Sequence, residues 1–194
     1  NLWNPGDTLR LRFLDGDTKQ KQIVKRFVPL WTAYANLAFE WTDDPQAEIR
    51  ISFKLAGSWS YVGTDALAVP SNDPTVNLGW LSTTTPDLEA EFTILHEFGH
   101  VLGLMHEQQN PEANIPWDKK AVYKAYSGPP NNWEKSAVET LMFIRWERSL
   151  FPYKKPFDPM SIMTFPIPNE FTKGEFEIGS NRTISAGDKE FVKR

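Results

Sequence analysis

The chain contains three histidines, His96, His100 and His106, and all of them lie in one short stretch. Residues four apart on a helix lie on the same face, with Cβ atoms about 5–6 Å apart, so His96 and His100 can bind one ion. That separation fits zinc, whose Zn–N distance is about 2.0–2.1 Å. Gly103 can adopt the left-handed conformation that ends a helix, which allows His106 to return as third ligand. The spacing predicts one Zn²⁺ with a fourth position open to water.

Glu97 follows the first histidine and lies roughly 100° further round the predicted helix. It would flank the metal without binding it, as a base acting on a metal-activated water should. A lone histidine on a helix is ordinarily structural. Chance would produce the five positions of His96-Glu97-x-x-His100-x-x-Gly103-x-x-His106 on the order of once in 10⁵ chains of this length. The main alternative is therefore a catalytically inactive relative.

Several predicted elements must position this cluster. Alternating apolar residues predict strands at 9–13, 49–53 and 59–61, and helical spacing from Asp17 predicts a helix that Pro29 should kink or split. A short strand over 76–81 suits a sheet edge, because it contains the polar Asn77 and Gly79. A second helix should bury one face, made of Leu88, Phe92, Leu95, Gly99 and Leu102. We expect one catalytic domain over residues 1–194, with an upper lobe at 1–106 and a lower lobe at 107–194.

The composition excludes several classes of function. The formal net charge is −4, so nucleic acid and anionic membranes are not expected as partners. No apolar run approaches the roughly 20 residues of a membrane-spanning helix. The chain has no cysteine, which excludes disulfides, thiol catalysis and cysteine-bound zinc. We expect a monomer.

The histidine motif resembles the zinc signature of the metzincin metallopeptidases, and Ser161-Ile162-Met163 resembles their Met-turn. Glu107 after the third histidine and the stretch "WSYVG" from Trp59 are similar to the astacin branch. The resemblance implies an α+β, two-lobed fold. The upper lobe would be a twisted mixed sheet with two long helices, and the lower lobe irregular, with a Met-turn and a C-terminal helix. It also implies structural roles for Gly103, Met163 and Glu107, and a secreted protein.

The activity implied is that of a zinc-dependent metalloendopeptidase, in which Glu97 assists water in attacking the peptide bonds of extended protein substrates. The edge strand would bind the peptide, which makes Asn77, Leu78, Gly79 and Trp80 the expected substrate contacts. Astacins have a tyrosine ligand where this chain has Phe165. Stabilisation of the oxyanion would then fall on the metal or on another donor, for which we suggest Tyr153.

Two alternatives to a general endopeptidase remain open at this level. One is an inactive zinc-holding module that binds peptide or cell-wall material. The other is a hydrolase restricted to glycoprotein or peptidoglycan peptides. The sequon at Asn181 is a candidate glycan site.

Overall fold

The computed structural model describes residues 2–129, 131–150 and 155–193. The chain divides into two compact units. The first contains Asn1–Leu104 together with Arg182–Arg194, and the second contains Met105–Asn181. The boundary therefore lies two residues before the expected one, and the C-terminal helix belongs with the first unit and not with the second. Among the helices of the described residues, none combines the length and the apolar composition that spanning a membrane requires.

The first unit is built on a five-stranded mixed sheet with the order β2-β1-β3-β5-β4. The first four strands in this order pair in parallel, and β4 pairs antiparallel with β5. The strands are β1 (Thr8–Phe13), β2 (Ala38–Trp41), β3 (Ile49–Ser52), β4 (Ser58–Ser60) and β5 (Val76–Leu78).

Burial explains why these segments form strands. The alternation in β1 buries Leu9 and Leu11, as the period of two predicts. Every residue of β3 and of β5 is buried, which is the pattern of strands covered on both faces. The core of the first unit therefore lies around β1, β3 and β5.

The edge of the sheet differs from the sequence prediction. β5 lies inside the sheet between β3 and β4, and β4 is the edge strand next to it. The polar Asn77 does not face solvent, since it is fully buried and its Nδ2 donates to Leu55 O (2.9 Å) and Gly57 O (2.6 Å). Its Oδ1 accepts from Leu55 N (3.2 Å). The asparagine pairs with the backbone that leads into β4, so its polarity marks an internal contact.

A buried arginine organises the segment before β5. Arg50 on β3 is 4% exposed. Its guanidinium donates to the carbonyl oxygens of Asp73 (2.8 Å), Ala47 (2.9 Å) and Val69 (2.9 Å). Burial lowers the pKa of Arg50 from its usual value, partly offset by Asp73 and Glu48. Its contacts with backbone carbonyls connect β3 to the approach to β5.

Two helices pack against the sheet. The first, α1 (Thr18–Phe27), starts at a capping box formed by Asp17 and Gln20 and continues as a 3₁₀ turn at Val28–Leu30. Pro29 thus splits the helix as expected, because it has no N–H to continue the ladder. The second, α2 (Asp87–Val101), contacts α1, β4 and β5. The indole nitrogen of Trp31 donates to Leu95 O (3.0 Å) and connects the turn after α1 to α2.

The second unit is less regular, as the resemblance implies. It contains α3 (Lys119–Ser127), which Asp118 caps, and α4 (Lys135–Val138), which continues as a π-helical turn at Glu139–Phe143. Short 3₁₀ turns occur at Gly63–Ala68 in the first unit and at Glu107–Gln109, Arg148–Leu150 and Asn169–Phe171 in the second. Two small apolar clusters form its core, one around Val122, Val138 and Met142 and the other around Ile115, Ile167 and Ile178.

The C-terminal helix α5 (Ala186–Val192) begins at a capping box of Ser185 and Asp188. It belongs with the first unit because Asn36 N donates to Val192 O (3.3 Å) and the Lys189 ammonium lies 4.7 Å from the ring centroid of Tyr34. Both contacts are with the segment just after α1, which no local pattern in residues 182–194 reveals.

Candidate metal centre

The helix α2 carries His96, Glu97 and His100, and all three are buried. Asp87 and Glu89 lie in its first turn, where their charges complement the positive end of the helix dipole. The end of α2 that carries the histidines is buried on every face. Burial there removes these polar groups from bulk water.

Gly103 ends α2 with a φ of 97°, the left-handed conformation expected for this position. Gly103 N donates to His100 O (2.8 Å), and Leu104 N donates to Gly99 O (3.0 Å). These two bonds form a Schellman motif, which satisfies the last carbonyls of the helix and reverses the chain. The reversal allows His106 to join the two helical histidines.

The three histidines each offer one ring nitrogen, and these nitrogens all lie within 4.8 Å of one another. Among the described residues, these histidines form the group of three or more His, Cys, Asp or Glu side chains whose ligand atoms lie close enough together to hold a metal ion. Imidazole nitrogens at this separation suit zinc, for which three histidines and one open position form a known catalytic set. The side chains therefore fit the ion that their spacing predicts.

His100 is oriented by its second ring nitrogen. Its Nδ1 lies 2.8 Å from Leu104 O, and a carbonyl can only accept, so the proton is on Nδ1 and Nε2 keeps its lone pair. Burial lowers the pKa of His100 to about 3, and the neighbouring His96 contributes to the same shift. The ring is thus neutral at physiological pH, as a metal ligand must be.

Glu97 is 5% exposed. Burial raises the pKa of its carboxyl group to about 8 in the metal-free protein. A carboxyl group that exchanges its proton near neutral pH is suited to general acid and base chemistry. Its place between two histidines on one helix supports that use.

His106 packs against Phe165, whose ring centroid lies 4.4 Å from that of the imidazole. Phe165 N donates to Gln108 Oε1 (3.3 Å). The residue at the position where the resemblance to astacins implies a tyrosine therefore packs on the third histidine.

Met163 is fully buried in a tight turn. Met163 N donates to Ser161 Oγ (3.0 Å), Thr164 N donates to Ser161 O (3.1 Å), and Met163 O accepts from Glu107 N (3.1 Å). Glu107 is also buried, and its carboxylate lies 2.7 Å from the Lys155 ammonium. Met163 and Glu107, two of the three residues expected to be structural, are thus bonded to each other through the main chain.

The structure does not support all of the expected substrate contacts. Asn77 and Leu78 are fully buried inside the sheet, so we correct their assignment to structural residues. Gly79 is also structural, because a Cβ there would meet Leu55 O at 2.1 Å. Trp80 is 67% exposed, so its side chain remains available to contact a substrate. Tyr153 lies outside the described residues.

Two residues beside the site escape sequence reasoning. They are Lys155, which pairs with Glu107, and Gln108, which accepts from Phe165 N. The signal for Lys155 is indirect. A buried glutamate directly after a metal ligand needs a cation, but the sequence offers several lysines and does not single out one.

Comparisons with known proteins agree with the site. The sequence profile of the astacin family of peptidases matches residues 1–193. The zinc metalloproteinase nas-30 of Caenorhabditis elegans is 27% identical over 165 residues, which cover 84% of this chain and 19% of that protein. The chain thus spans about a fifth of the length of this curated relative.

Solved structures give the same result. The structure of myroilysin superposes with a TM-score of 0.93 at 38% identity, covering 98% of this chain and 93% of the other. The hatching enzyme zinc-protease HCE-1 of the medaka fish Oryzias latipes superposes with a TM-score of 0.66 at 14% identity, covering 99% and 90%. The second likeness supports the fold alone.

Fold and site together match a metzincin-type, two-lobed α+β architecture with three histidines that could hold a metal ion. The chain belongs to the astacin family.

Proposed function

We propose that the protein is a zinc metalloendopeptidase that hydrolyses peptide bonds in extended protein substrates. The observation that carries this proposal is the group of three imidazole nitrogens within 4.8 Å of one another, with a buried carboxyl group between two of them in sequence. His96, His100 and His106 would hold one zinc ion. When bound, the ion would supply Lewis-acid polarisation of water and of the scissile carbonyl.

Glu97 is the proposed general base and acid. In this role its carboxylate takes a proton from the attacking water and delivers it to the leaving amine. The raised pKa of the metal-free carboxyl group agrees with a proton carrier that works near neutral pH.

We propose β4 as the strand that receives the substrate, in place of the 76–81 segment. β4 is an edge strand and packs against α2, the helix of His96 and His100. A peptide can extend such an edge through backbone hydrogen bonds. Trp80 is the proposed side-chain contact, because it is exposed and its N donates to Ser58 Oγ (3.3 Å) at the start of β4.

Three further assignments belong to this proposal. Met163 in its tight turn would serve as the Met-turn of the family. The protein would act as a monomer on protein or peptide substrates. It would act outside the cell, as the resemblance to the astacin family implies. A peptide library in the assay below would report whether substrates are general or restricted to glycoprotein or peptidoglycan peptides.

Glu97→Gln tests the role of the carboxyl group. We expect the variant to bind stoichiometric zinc and to lose at least about 10²-fold in casein hydrolysis, the contribution typical of a general base. Elemental analysis and a fluorescent casein assay measure the two quantities. Chelation of the wild type should abolish hydrolysis, and added zinc should restore it.

Glu89→Gln is the matched control, since Glu89 is an exposed carboxylate on the same helix. It should leave hydrolysis unchanged. Retained turnover in Glu97→Gln would remove Glu97 from its role. A wild type that binds zinc without cleaving any peptide would establish the inactive binding module instead.

A further inference from the structure

Glu107, the residue after the third histidine, is an anchored carboxylate. Its Oε1 lies 2.7 Å from the Lys155 ammonium. Its Oε2 accepts from Asp158 N (3.0 Å) and from Asn110 Nδ2 (3.1 Å). Three donors thus surround a side chain that is 7% exposed.

Glu107 is also anchored through its backbone, since its N–H donates to Met163 O (3.1 Å). The main chain next to His106 is therefore attached twice to the segment from Lys155 to Met163. The same segment continues to Phe165, whose ring packs on the His106 imidazole. Displacement of Glu107 would move both the backbone of His106 and the packing on its ring.

The charge on this carboxylate needs compensation. A buried carboxylate is stable only when it is paired and hydrogen-bonded, and loss of one partner leaves an uncompensated charge. The Lys155 side chain is 19% exposed and supplies that countercharge. The exposed pair of Lys119 and Glu139 in the same unit differs, with side chains 54% and 39% exposed and atoms 3.4 Å apart.

We propose that Lys155 is a positioning residue for the zinc site. Its ammonium holds the Glu107 carboxylate, and that carboxylate holds the chain that presents His106. This inference rests on the zinc site of the proposed function. It extends that function to a residue that touches neither the metal nor the substrate.

Lys155→Met tests it, because methionine keeps an unbranched apolar stem and removes the charge. We expect the dissociation constant for zinc, measured by competition with a chromophoric chelator, to rise about 10- to 100-fold, the range found for residues that support metal ligands. With saturating zinc, kcat should fall and KM should stay near the wild-type value. The double variant Lys155→Met/Glu107→Gln should recover part of the zinc affinity, because its amide oxygen still accepts from Asp158 N without a buried charge.

Lys119→Met is the control, since an exposed ion pair contributes little. It should leave zinc affinity and kcat unchanged. A Lys155→Met variant that is less stable to urea yet binds zinc as the wild type does would overturn the proposal. If Lys155→Met does not fold, Glu107→Gln carries the test: weakened zinc binding supports the proposal, and unchanged binding overturns it.

The two proposals fail differently. A wild type without zinc affinity would end the proposed function before any variant is made. A wild type that binds zinc, with Lys155→Met equal to it, would end only the role of Lys155.

Discussion

Phe165 makes the candidate metal centre different from the one that the resemblance to astacins implies. The resemblance to astacins implies a tyrosine ligand at this position, and phenylalanine has no hydroxyl to donate. Its ring lies 4.4 Å from the His106 ring, centroid to centroid, so the position keeps an aromatic contact without the ligand. In the proposed mechanism, stabilisation of an oxyanion would therefore come from the metal or from another donor. The side chain of Phe165 packs against His106.

Gly79 is a second residue whose role follows from close contact. It comes directly after β5, and an added Cβ would lie 2.1 Å from Leu55 O and 2.6 Å from Gly57 O. Both oxygens belong to the backbone that leads into β4, and backbone cannot move aside as a flexible side chain can. Any side chain at this position must therefore push β4 away from β5.

We expect Gly79→Ala to lower the free energy of unfolding by about 2 kcal/mol or more, the cost of overpacking against backbone. Urea denaturation followed by circular dichroism measures the change. The control is Gly179→Ala, since nothing lies within 4 Å of a Cβ there. Equal stability of the two variants would show that the β4–β5 contact is looser than described.

Among the elements, α2 shows why helical periodicity misjudges a buried face. The periodicity predicts that Leu88 faces the core, yet this residue is 55% exposed, whereas Ile94, Phe98 and Val101 are buried. Residues 94–101 are buried all round the helix. A helix covered on every side has no single apolar stripe for a pattern to detect.

The turn that contains Met163 is bonded to the side chain of Asn181, which lies about 20 positions further along the chain. Asn181 Nδ2 donates to Pro159 O (2.6 Å) and Ser161 O (3.1 Å). The nitrogen that a glycan would modify is therefore used inside the fold. A glycan on Asn181 would replace one of the two Nδ2 hydrogens and would therefore break at least one of these bonds.

Asn181→Asp should destabilise the protein by roughly 1–3 kcal/mol, because it places a charged acceptor against two carbonyls and removes their donor. Thr183→Ala abolishes the same sequon at an exposed position and should leave stability unchanged. Thermal unfolding distinguishes them. If Asn181→Asp is as stable as Thr183→Ala, then Asn181 does not hold the turn.

At the scale of the whole molecule, ion pairs join segments that are distant in sequence. Arg10 on β1 bonds to Glu48 before β3, with Nη2 2.5 Å from Oε1, and Arg10 N donates to Glu48 Oε2 (2.9 Å). Burial alone would raise the pKa of Glu48, but the hydrogen bonds from Arg10 outweigh it and lower the pKa below its usual value. The pair therefore favours the ionised carboxylate in the folded state.

A carboxyl group whose pKa is lower in the folded protein than in the unfolded chain stabilises the fold at pH values above its unfolded pKa, which is about 4.3 for glutamate. This contribution disappears as the pH falls through the pKa of the folded state. We expect Glu48→Gln to be less stable than the wild type at pH 7, and the difference to shrink steadily below about pH 4. Urea titrations at several pH values measure it. A difference independent of pH would mean that the charge on Glu48 is not involved.

Local sequence was enough to predict the zinc motif, the break at Pro29 and the turn at Gly103, and the resemblance built on that motif predicted the α+β class. These features depend on residues a few positions apart, where backbone geometry is set locally. Long-range packing was needed to make β4 the edge strand, to bury Asn77, to join α5 to the first unit and to pair Lys155 with Glu107. Those outcomes depend on which distant segments pair with one another. The residue type of a polar side chain also does not indicate whether the side chain is buried or exposed.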